Sequence, residues 1–304
     1  MWLDLALLGA GGLLLYFGAE WLIRGAAGIA RSFGVPAIVV GLTVVAYGTS
    51  APELVVTTVA ALQGSSDVAL GNVVGSNIAN LALILGVAAV IYPPRVDVGL
   101  GRREVPVLVA TTVALPLLLL DGQVSRLEGA VLLVGGVAFT WFTLKLVRTV
   151  SEQSVLADEA RQEVAAATEA EVESRVRLVG LVVVGLGALA GGGKLFVDGA
   201  VGLARDLGVS ERLVGLTIVA VGTSLPELAT TVVAALRRHS DIAVGNVVGS
   251  NIFNVLLVLG GAASIHPVSG DLHRSWLDLV ALGVVTALGA VSLRTARRLP
   301  RAEG

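Results

Sequence analysis

Two glutamates stand inside long apolar segments of this 304-residue chain, and both occur in nearly the same local sequence. Glu53 lies in VVAYGTSAPELVV, and Glu227 lies in IVAVGTSLPELAT, 174 residues later. A lone carboxylate at the centre of a bilayer costs about 2.5–3.5 kcal/mol on insertion scales. Protons or a bound cation must neutralise such a pair, and two carboxylates suit one divalent ion. The motif predicts a cation site, with two protonated structural glutamates as the alternative.

A proline interrupts the helix beside each glutamate. Pro52 has no N–H for the carbonyl of Gly48, so we expect a break at residues 48–52 that frees carbonyls beside Thr49 and Ser50. Non-helical backbone at membrane depth is tolerated where it lines a cavity or is buried in protein. Carboxylate, carbonyl and hydroxyl oxygens are the ligands of a hard cation, and the motif supplies all three. The same pattern recurs at Gly222, Thr223, Ser224 and Pro226.

A second polar motif follows each glutamate in the next apolar segment. It reads GNVVGSNIAN at 71–80 and GNVVGSNIFN at 245–254. Its glycines allow close helix packing, which does not explain the serines and asparagines. Ser76 and Asn80 share one helix face, as do Ser250 and Asn254, because they are four residues apart. We expect that face to point at the glutamate helix.

The composition is that of a polytopic membrane protein. Hydrophobic residues make up 55% of the chain, charged residues make up 14%, and the mean hydropathy is +0.87. With no cysteine, disulfides and thiolate metal sites are excluded. The chain has no stripe of basic residues, so a nucleic-acid partner is not expected. The histidines fall in short polar loops, where loop or interface roles are expected for His239, His266 and His273.

Nine apolar segments are long enough to cross a bilayer. They run near 3–23, 36–62, 68–91, 105–120, 128–147, 177–197, 211–236, 242–265 and 276–293. The first lacks a positively charged start, so we interpret it as a spanning helix, not as a signal peptide. A polar Ala/Glu-rich stretch, typical of an exposed helix or a flexible linker, separates the fifth and sixth segments. We divide the chain into a first repeat (1–149), a cytoplasmic linker (150–175) and a second repeat (176–304).

The basic residues predict an orientation. With the N-terminus outside, 16 of the 21 lysines and arginines fall on the inner side and four on the outer side. The positive-inside rule therefore places the N-terminus outside and the central loop and C-terminus inside.

The two halves form an internal repeat. Residues 41–86 align without gaps onto residues 215–260, with 31 of 46 positions identical. Five spans separate equivalent segments, so the copies cross the membrane in opposite directions, as in many secondary transporters. Each repeat should have about five helices. The second repeat ends at Arg301-Ala302-Glu303-Gly304, which resembles the start of the fifth span. We therefore expect that the tenth spanning helix is missing from this chain.

The paired motifs resemble the two alpha-repeats of the sodium/calcium exchanger family of cation/calcium antiporters. The resemblance covers both repeats and implies alternating access, Na⁺-driven Ca²⁺ movement, four clustered cation sites and a prokaryotic plasma membrane. It implies Ca²⁺ and Na⁺ as transported ions, the lipid bilayer as surroundings and no organic cofactor. It does not indicate an oligomeric state.

The family pattern also implies site residues. The implied Ca²⁺ ligands are Glu53, Glu227, Thr49 and Thr223. The implied Na⁺ ligands are Ala46, Ser50, Ser76, Ala220, Ser224 and Ser250. The middle site would involve Asn80 and Asn254. Some relatives carry aspartate at the second of these positions, so Asn254 removes one titratable group and argues against K⁺ co-transport.

Other functions remain open at this stage. An antiporter of the same fold would use H⁺ in place of Na⁺, and a truncated inactive relative is a further alternative. A channel filter needs a symmetric ring of loops, whereas this motif occurs twice and inverted. No intramembrane enzyme motif is present, so the chain is not expected to be an enzyme.

Four charged residues near the ends of the first and sixth spans form a reversed pattern. Glu20 aligns with Lys194, and Arg24 aligns with Asp198. The spacing predicts the ion pairs Glu20–Arg24 and Lys194–Asp198, with separate interfacial anchoring as the alternative.

Overall fold

The structure is a computed structural model that describes residues 1–33, 35–92, 98–158, 174–207 and 222–295. Over these residues the chain is almost entirely helical. We number the helices α1 (Trp2–Ser32), α2 (Ala37–Thr49), α3 (Ala51–Leu62), α4 (Ser66–Ile91), α5 (Val98–Leu118), α6 (Arg126–Asp158), α7 (Arg175–Asp206), α8 (Leu225–Leu236), α9 (Ser240–Ile265) and α10 (Leu272–Thr295). Two short strands, β1 (Gln123–Val124) and β2 (Val268–Ser269), pair antiparallel at one end of the bundle.

The described helices confirm an all-helical membrane protein. Within the described ranges, six helices are long and apolar enough to cross a bilayer, namely α1, α4, α6, α7, α9 and α10. The pair α2 and α3, bent by 44°, makes a seventh candidate span. Helix α5 overlaps the predicted segment 105–120 but starts earlier, at Val98. Helix α8 covers the end of the predicted segment 211–236, whose first part lies outside the described residues.

A shift of 174 residues relates the two halves element by element. It carries α3 onto α8 and α4 onto α9 with identical bounds, and it carries the first residue of α5 onto that of α10. Helix α1 corresponds in the same way to α7. The repeat seen over residues 41–86 therefore extends to whole helices on both sides of the motifs.

Two pairs of equivalent residues contact each other, which locates the axis that relates the repeats. The hydroxyls of Thr112 and Thr286 share a hydrogen bond of 3.2 Å. Asn77 Nδ2 donates to the backbone carbonyl of Asn251 at 3.2 Å. Both pairs are 174 residues apart, and a residue that contacts its own equivalent lies on the pseudo-two-fold axis.

The equivalent helices α1 and α7 run antiparallel along a seam of glycines. An added Cβ at Gly11 would lie 2.8 Å from the carbonyl oxygen of Gly192. One at Gly18 would lie 3.0 Å from that of Gly185, and Gly25 continues the seam toward the start of α7. Since equivalent helices run in opposite directions, the repeats are inverted, as predicted.

Helix α9 occupies the centre of the bundle. Its apolar window is 94% buried, against 22–44% for the other five single spanning helices. Glycines allow α9 to occupy this position. A Cβ added at Gly245 would lie 2.6 Å from the carbonyl oxygen of Ile38 in α2, and a Cβ added at Gly260 would lie 2.9 Å from Cβ of Leu132 in α6. The second copy of the GNVVGSN motif is therefore held in contact with the broken helix of the first repeat.

The predicted charge pairs have different outcomes. Lys194 Nζ lies 2.6 Å from Asp198 Oδ2, which confirms that pair. Glu20 contacts Arg237, just after α8, at 2.6 Å, a partner that the sequence did not suggest. This hydrogen-bonded carboxylate raises the pKa of Arg237. Glu20 thus ties the first repeat to the second instead of acting within α1 alone.

The glycine seam predicts a local intolerance to side chains. Gly11→Ala should lower the thermal unfolding midpoint, because its methyl group would meet the backbone nitrogen of Phe196 at 2.5 Å and overpacking costs about 1–3 kcal/mol. Gly12→Ala is the matched control, since nothing lies within 4 Å of an added Cβ there in the described structure. Equal melting of both variants in detergent would contradict the close packing of α1 on α7.

Candidate cation-binding site

The helix break lies where the sequence predicts it. Helix α2 ends at Thr49, Ser50 has φ −82° and ψ 4°, and α3 begins at Ala51. The carbonyl of Ala46 accepts the N–H of Ser50 at 3.1 Å, so it keeps a backbone partner. It retains a second lone pair for an ion. Pro52 has no N–H, so it cannot donate a hydrogen bond to the carbonyl of Gly48.

The two glutamates are fully buried and are held by serines of the opposite repeat. Glu53 and Glu227 have 0% exposure. Ser50 Oγ donates to Glu227 Oε1 at 3.1 Å, and Ser224 Oγ donates to Glu53 Oε1 at 3.2 Å. The two bonds are equivalent under the pseudo-two-fold axis. The serine that precedes each glutamate helix therefore positions the carboxylate of the other repeat.

A second set of crossed hydrogen bonds surrounds the glutamates. Thr49 Oγ1 donates to Asn246 Oδ1 at 3.1 Å, and Thr223 Oγ1 donates to Asn72 Oδ1 at 3.2 Å. Each asparagine then donates to a threonine on the glutamate helix of its own repeat, Asn72 to Thr57 and Asn246 to Thr231. These asparagines use both ends of their amides for protein contacts, so their role is to brace the breaks.

Several buried polar atoms around this network have no hydrogen-bond partner within the described chain. They are Glu53 Oε2, Glu227 Oε2, Ser250 Oγ, Asn254 Oδ1 and both amide atoms of Asn80. Leaving a buried polar group unsatisfied costs about 1–3 kcal/mol, and more when the group is charged. The unsatisfied atoms are nearly all oxygens, which are the ligands that Na⁺ and Ca²⁺ accept. The arrangement therefore offers the oxygen ligands that a cation site requires.

The structure brings together most of the residues that the sequence singled out. Ser76 Oγ lies 3.1 Å from Ser224 Oγ, the hydroxyl that is also within hydrogen-bond distance of Glu53 Oε1, so Ser76 belongs to the same cluster. The remaining candidates in the described chain are buried in the same network or directly beside it: Thr49, Thr223, Ala46, Ser250, Asn80 and Asn254. Ala220 lies outside the described residues.

Two residues at the centre were not singled out from the sequence. Asn77 and Asn251 meet at the pseudo-two-fold axis, and Asn77 also accepts a hydrogen bond from Asn254 at 3.1 Å. Their signal was present, because both belong to the stretch that is identical in the two repeats. That stretch predicts a polar helix face, but it does not predict which of its residues contact the equivalent residue of the other repeat.

Comparisons with known proteins indicate the family of this chain. A family model described as "Sodium/calcium exchanger protein" matches residues 3–145 and 177–304. The chain is 39% identical over 248 residues to the "Putative antiporter CaxA" of Alkalimonas amylolytica, covering 81% of this chain and 76% of that one. It is 32% identical over 275 residues to the "Sodium/calcium exchanger MaX1" of Methanosarcina acetivorans, covering 81% and 78%.

A solved structure of the sodium-calcium exchanger NCX_Mj, soaked with 10 mM Na⁺ and 10 mM Sr²⁺, has the same fold. The TM-score is 0.81 at 31% sequence identity, and the match covers 97% of this chain and 91% of that one. A second structure of the same protein, soaked with 2.5 mM Na⁺ and 0.1 mM Ca²⁺, also has a TM-score of 0.81, at 30% identity.

The unsatisfied carboxylates predict a cation-dependent stability. Ca²⁺ at about 100 times its Kd should stabilise the wild-type chain by about 2.7 kcal/mol. Glu53→Gln and Glu227→Gln should each lose most of this gain, since half of the site charge is removed. Glu104→Gln is the control, because Glu104 is also buried but lies in α5, away from the breaks. A melting shift that all three variants retained would contradict a site at the two glutamates.

Proposed function

This chain belongs to the sodium/calcium exchanger protein family, and we propose that it is a secondary active antiporter that exchanges Na⁺ for Ca²⁺ by alternating access. The observation that carries the proposal is the pair of buried carboxylates, each held through one oxygen by the opposite repeat and unsatisfied at the other. A buried pair with these unused oxygens needs a cation at every stage of a transport cycle.

Charge explains why such a site would exchange ions and not take them up together. One Ca²⁺ neutralises two carboxylates, and so do Na⁺ ions that occupy the same region. Either occupant satisfies the site, and both together would leave excess positive charge in a medium of low dielectric constant. Competition between Ca²⁺ and Na⁺ for Glu53 and Glu227 is therefore the physical basis of the proposed antiport.

The resemblance to the family implies the ligands of each ion. Glu53 and Glu227 with Thr49 and Thr223 would bind Ca²⁺ at the two breaks. The flanking Na⁺ ligands would be Ala46, Ser50, Ser76, Ala220, Ser224 and Ser250. Asn80 and Asn254 would contribute neutral oxygens between them.

H⁺ is the second candidate for the coupling ion, because two glutamates can carry protons without further ligands. The unsatisfied neutral groups Ser250, Asn80 and Asn254 support Na⁺ instead. A proton binds to the carboxylate itself and needs no surrounding oxygens, whereas Na⁺ needs several. With H⁺ as the coupling ion, these buried groups would have no ion to coordinate.

The distribution of basic residues supports an N-terminus outside and a central loop and C-terminus inside. The resemblance to the family implies that the membrane is a prokaryotic plasma membrane. In this arrangement residues 1–149 form the first repeat, residues 150–175 the cytoplasmic linker and residues 176–304 the second repeat. Helix α6 extends to Asp158, so the first part of the linker would continue this helix into the cytoplasm.

The orientation predicts opposite labelling of two equivalent positions. Gln63 and Arg237, which are exposed and 174 residues apart, follow α3 and α8 and should lie outside and inside respectively. The chain has no cysteine, so Gln63→Cys and Arg237→Cys each create a single thiol. An impermeant maleimide applied to intact cells should label the first variant only, and permeabilisation should expose the second. Labelling of both in intact cells would contradict the inverted arrangement.

The transport activity predicts a coupled flux. Vesicles loaded with Na⁺ and diluted into Na⁺-free buffer should take up ⁴⁵Ca²⁺, and collapse of the Na⁺ gradient should stop the uptake. Glu53→Gln and Glu227→Gln should each lower the initial rate more than about tenfold, equivalent to a loss of 1.4 kcal/mol. Glu104→Gln should transport at the wild-type rate.

The same vesicles separate the two coupling ions. Uptake that follows an imposed pH gradient and ignores Na⁺ would replace the Na⁺ proposal with H⁺/Ca²⁺ antiport. Wild-type transport by Glu53→Gln under either gradient would overturn the mechanism itself.

A further inference from the structure

Comparison of the two repeats at the site separates contacts that obey the pseudo-two-fold axis from contacts that break it. The carboxylate bonds from Ser50 and Ser224 are equivalent, and so are the threonine bonds to Asn72 and Asn246. Under the 174-residue shift each of these bonds has its partner. The layer that contains the two glutamates is thus symmetric.

The layer formed by the GSN segments of α4 and α9 breaks the symmetry in two places. Ser224 Oγ and Ser76 Oγ are in hydrogen-bond contact at 3.1 Å, but the equivalent hydroxyl of Ser250 has no partner in the described chain. Asn254 Nδ2 donates to Asn77 Oδ1 at 3.1 Å, but the equivalent donor, Asn80 Nδ2, is unpartnered. In both cases the interaction is present in one half of the molecule and missing in the other.

The direction of the amide bonds at the axis is fixed by a backbone carbonyl. Asn77 Nδ2 donates to the carbonyl of Asn251, which can only accept, so Asn77 Oδ1 must face the other way. That oxygen accepts Asn254 Nδ2, and Asn254 Oδ1 is left buried and unpartnered. Asn77 thereby holds the amide of Asn254 by its nitrogen and presents its oxygen as a ligand.

The equivalent interaction is absent although both of its groups are present. Asn251 Nδ2 donates to the carbonyl of Val247 in its own helix at 2.7 Å, and Asn251 Oδ1 has no partner. Asn80, the residue that this oxygen would hold, is fully buried with both amide atoms unsatisfied. An unused acceptor and an unused donor thus occupy the positions at which the axis would place a second bond.

We propose that Asn77 and Asn251 are positioning residues that alternate during transport. In the state described here Asn77 holds Asn254; in the state open to the opposite side of the membrane, Asn251 holds Asn80. In each state, one of the two amides, that of Asn254 or that of Asn80, is held with its oxygen directed at the cations, and the other amide is free to rotate. The inference rests on the proposed exchange of Na⁺ for Ca²⁺, and it adds two residues that act through the site ligands without contacting the ions.

The alternation follows from the architecture. In transporters with inverted repeats, alternating access is largely a movement of one repeat or bundle against the other around a fixed site. Because the repeats are inverted, the two end states exchange the roles of the repeats. A contact that obeys the axis can stay in place during that change, whereas a contact that breaks it must be exchanged for its equivalent. Rotation of asparagine side chains provides this exchange without disturbing the symmetric carboxylate layer.

The test measures the apparent KM for Ca²⁺ from each side of the membrane, in right-side-out and in inverted vesicles. Asn77→Leu removes the acceptor for Asn254 with little change of volume and should raise KM about fivefold to tenfold at one face, the effect of losing one buried hydrogen bond. Asn251→Leu should raise KM at the opposite face by a similar factor. Asn77→Ser and Asn251→Ser serve as smaller replacements if either leucine variant fails to fold.

A double-mutant cycle separates positioning from a general loss of packing. Asn77→Leu should have no further effect in an Asn254→Ala background, and Asn251→Leu should have none in an Asn80→Ala background. A packing defect would persist in both backgrounds. Effects of both variants at the same face, or effects that add to those of the alanine backgrounds, would overturn the proposal.

Equilibrium binding of ⁴⁵Ca²⁺ to the purified chain keeps this proposal separate from the proposed function. A chain that binds Ca²⁺ but does not exchange it would contradict the antiport. A double-mutant cycle on Ca²⁺ binding in which the effects of Asn77→Leu and Asn254→Ala simply add would contradict the positioning role. A wild-type chain that bound neither Ca²⁺ nor Na⁺ would overturn both.

Discussion

Two carboxylates without access to water cannot both remain charged unless a cation lies between or beside them. This constraint organises the centre of the molecule. Glu53 and Glu227 are fully buried, and each has one oxygen held by a serine and one oxygen left over. The surrounding hydroxyls and amides cannot neutralise the charge, but they can complete the coordination of an ion that does. The remaining helices serve to hold this pair in place.

The inverted repeat is the simplest way to build such a site from one short motif. A single copy supplies one carboxylate, one break and one face of serine and asparagine. Because the second copy enters from the opposite side, the serine of each break reaches the carboxylate of the other. The reciprocal bonds make each half depend on the other, so neither motif would form the site alone.

Close approach of the backbones makes these contacts possible. Glycines at 11 and 192, and at 41 and 245, leave no space for a Cβ between the helices they join. Helix α9 can then occupy the centre with its asparagines directed at the axis, while α1 and α7 pack along their glycine seam. The same closeness brings Asn77 against Asn251, where the two repeats make different hydrogen bonds: Asn77 Nδ2 donates to the carbonyl of Asn251, whereas Asn251 Nδ2 donates to the carbonyl of Val247.

The sequence alone determined the membrane class, the inverted repeat and the position of the helix break at Ser50, and it predicted a cation site at the two glutamates. It did so because each of these depends on local chemistry: the length of apolar segments, the missing N–H of Pro52, and carboxylates placed in lipid-depth helices. It also predicted the Lys194–Asp198 pair, which lies within one helix. It did not indicate that Glu20 would pair with Arg237, 217 residues away, because that contact depends on how α1 packs beside α8. The tertiary structure likewise decided which asparagine of each equivalent pair is held and which is free. The stretch GNVVGSNI is identical in the two repeats, so it carries no information about that choice, which depends on how the side chains pack in three dimensions.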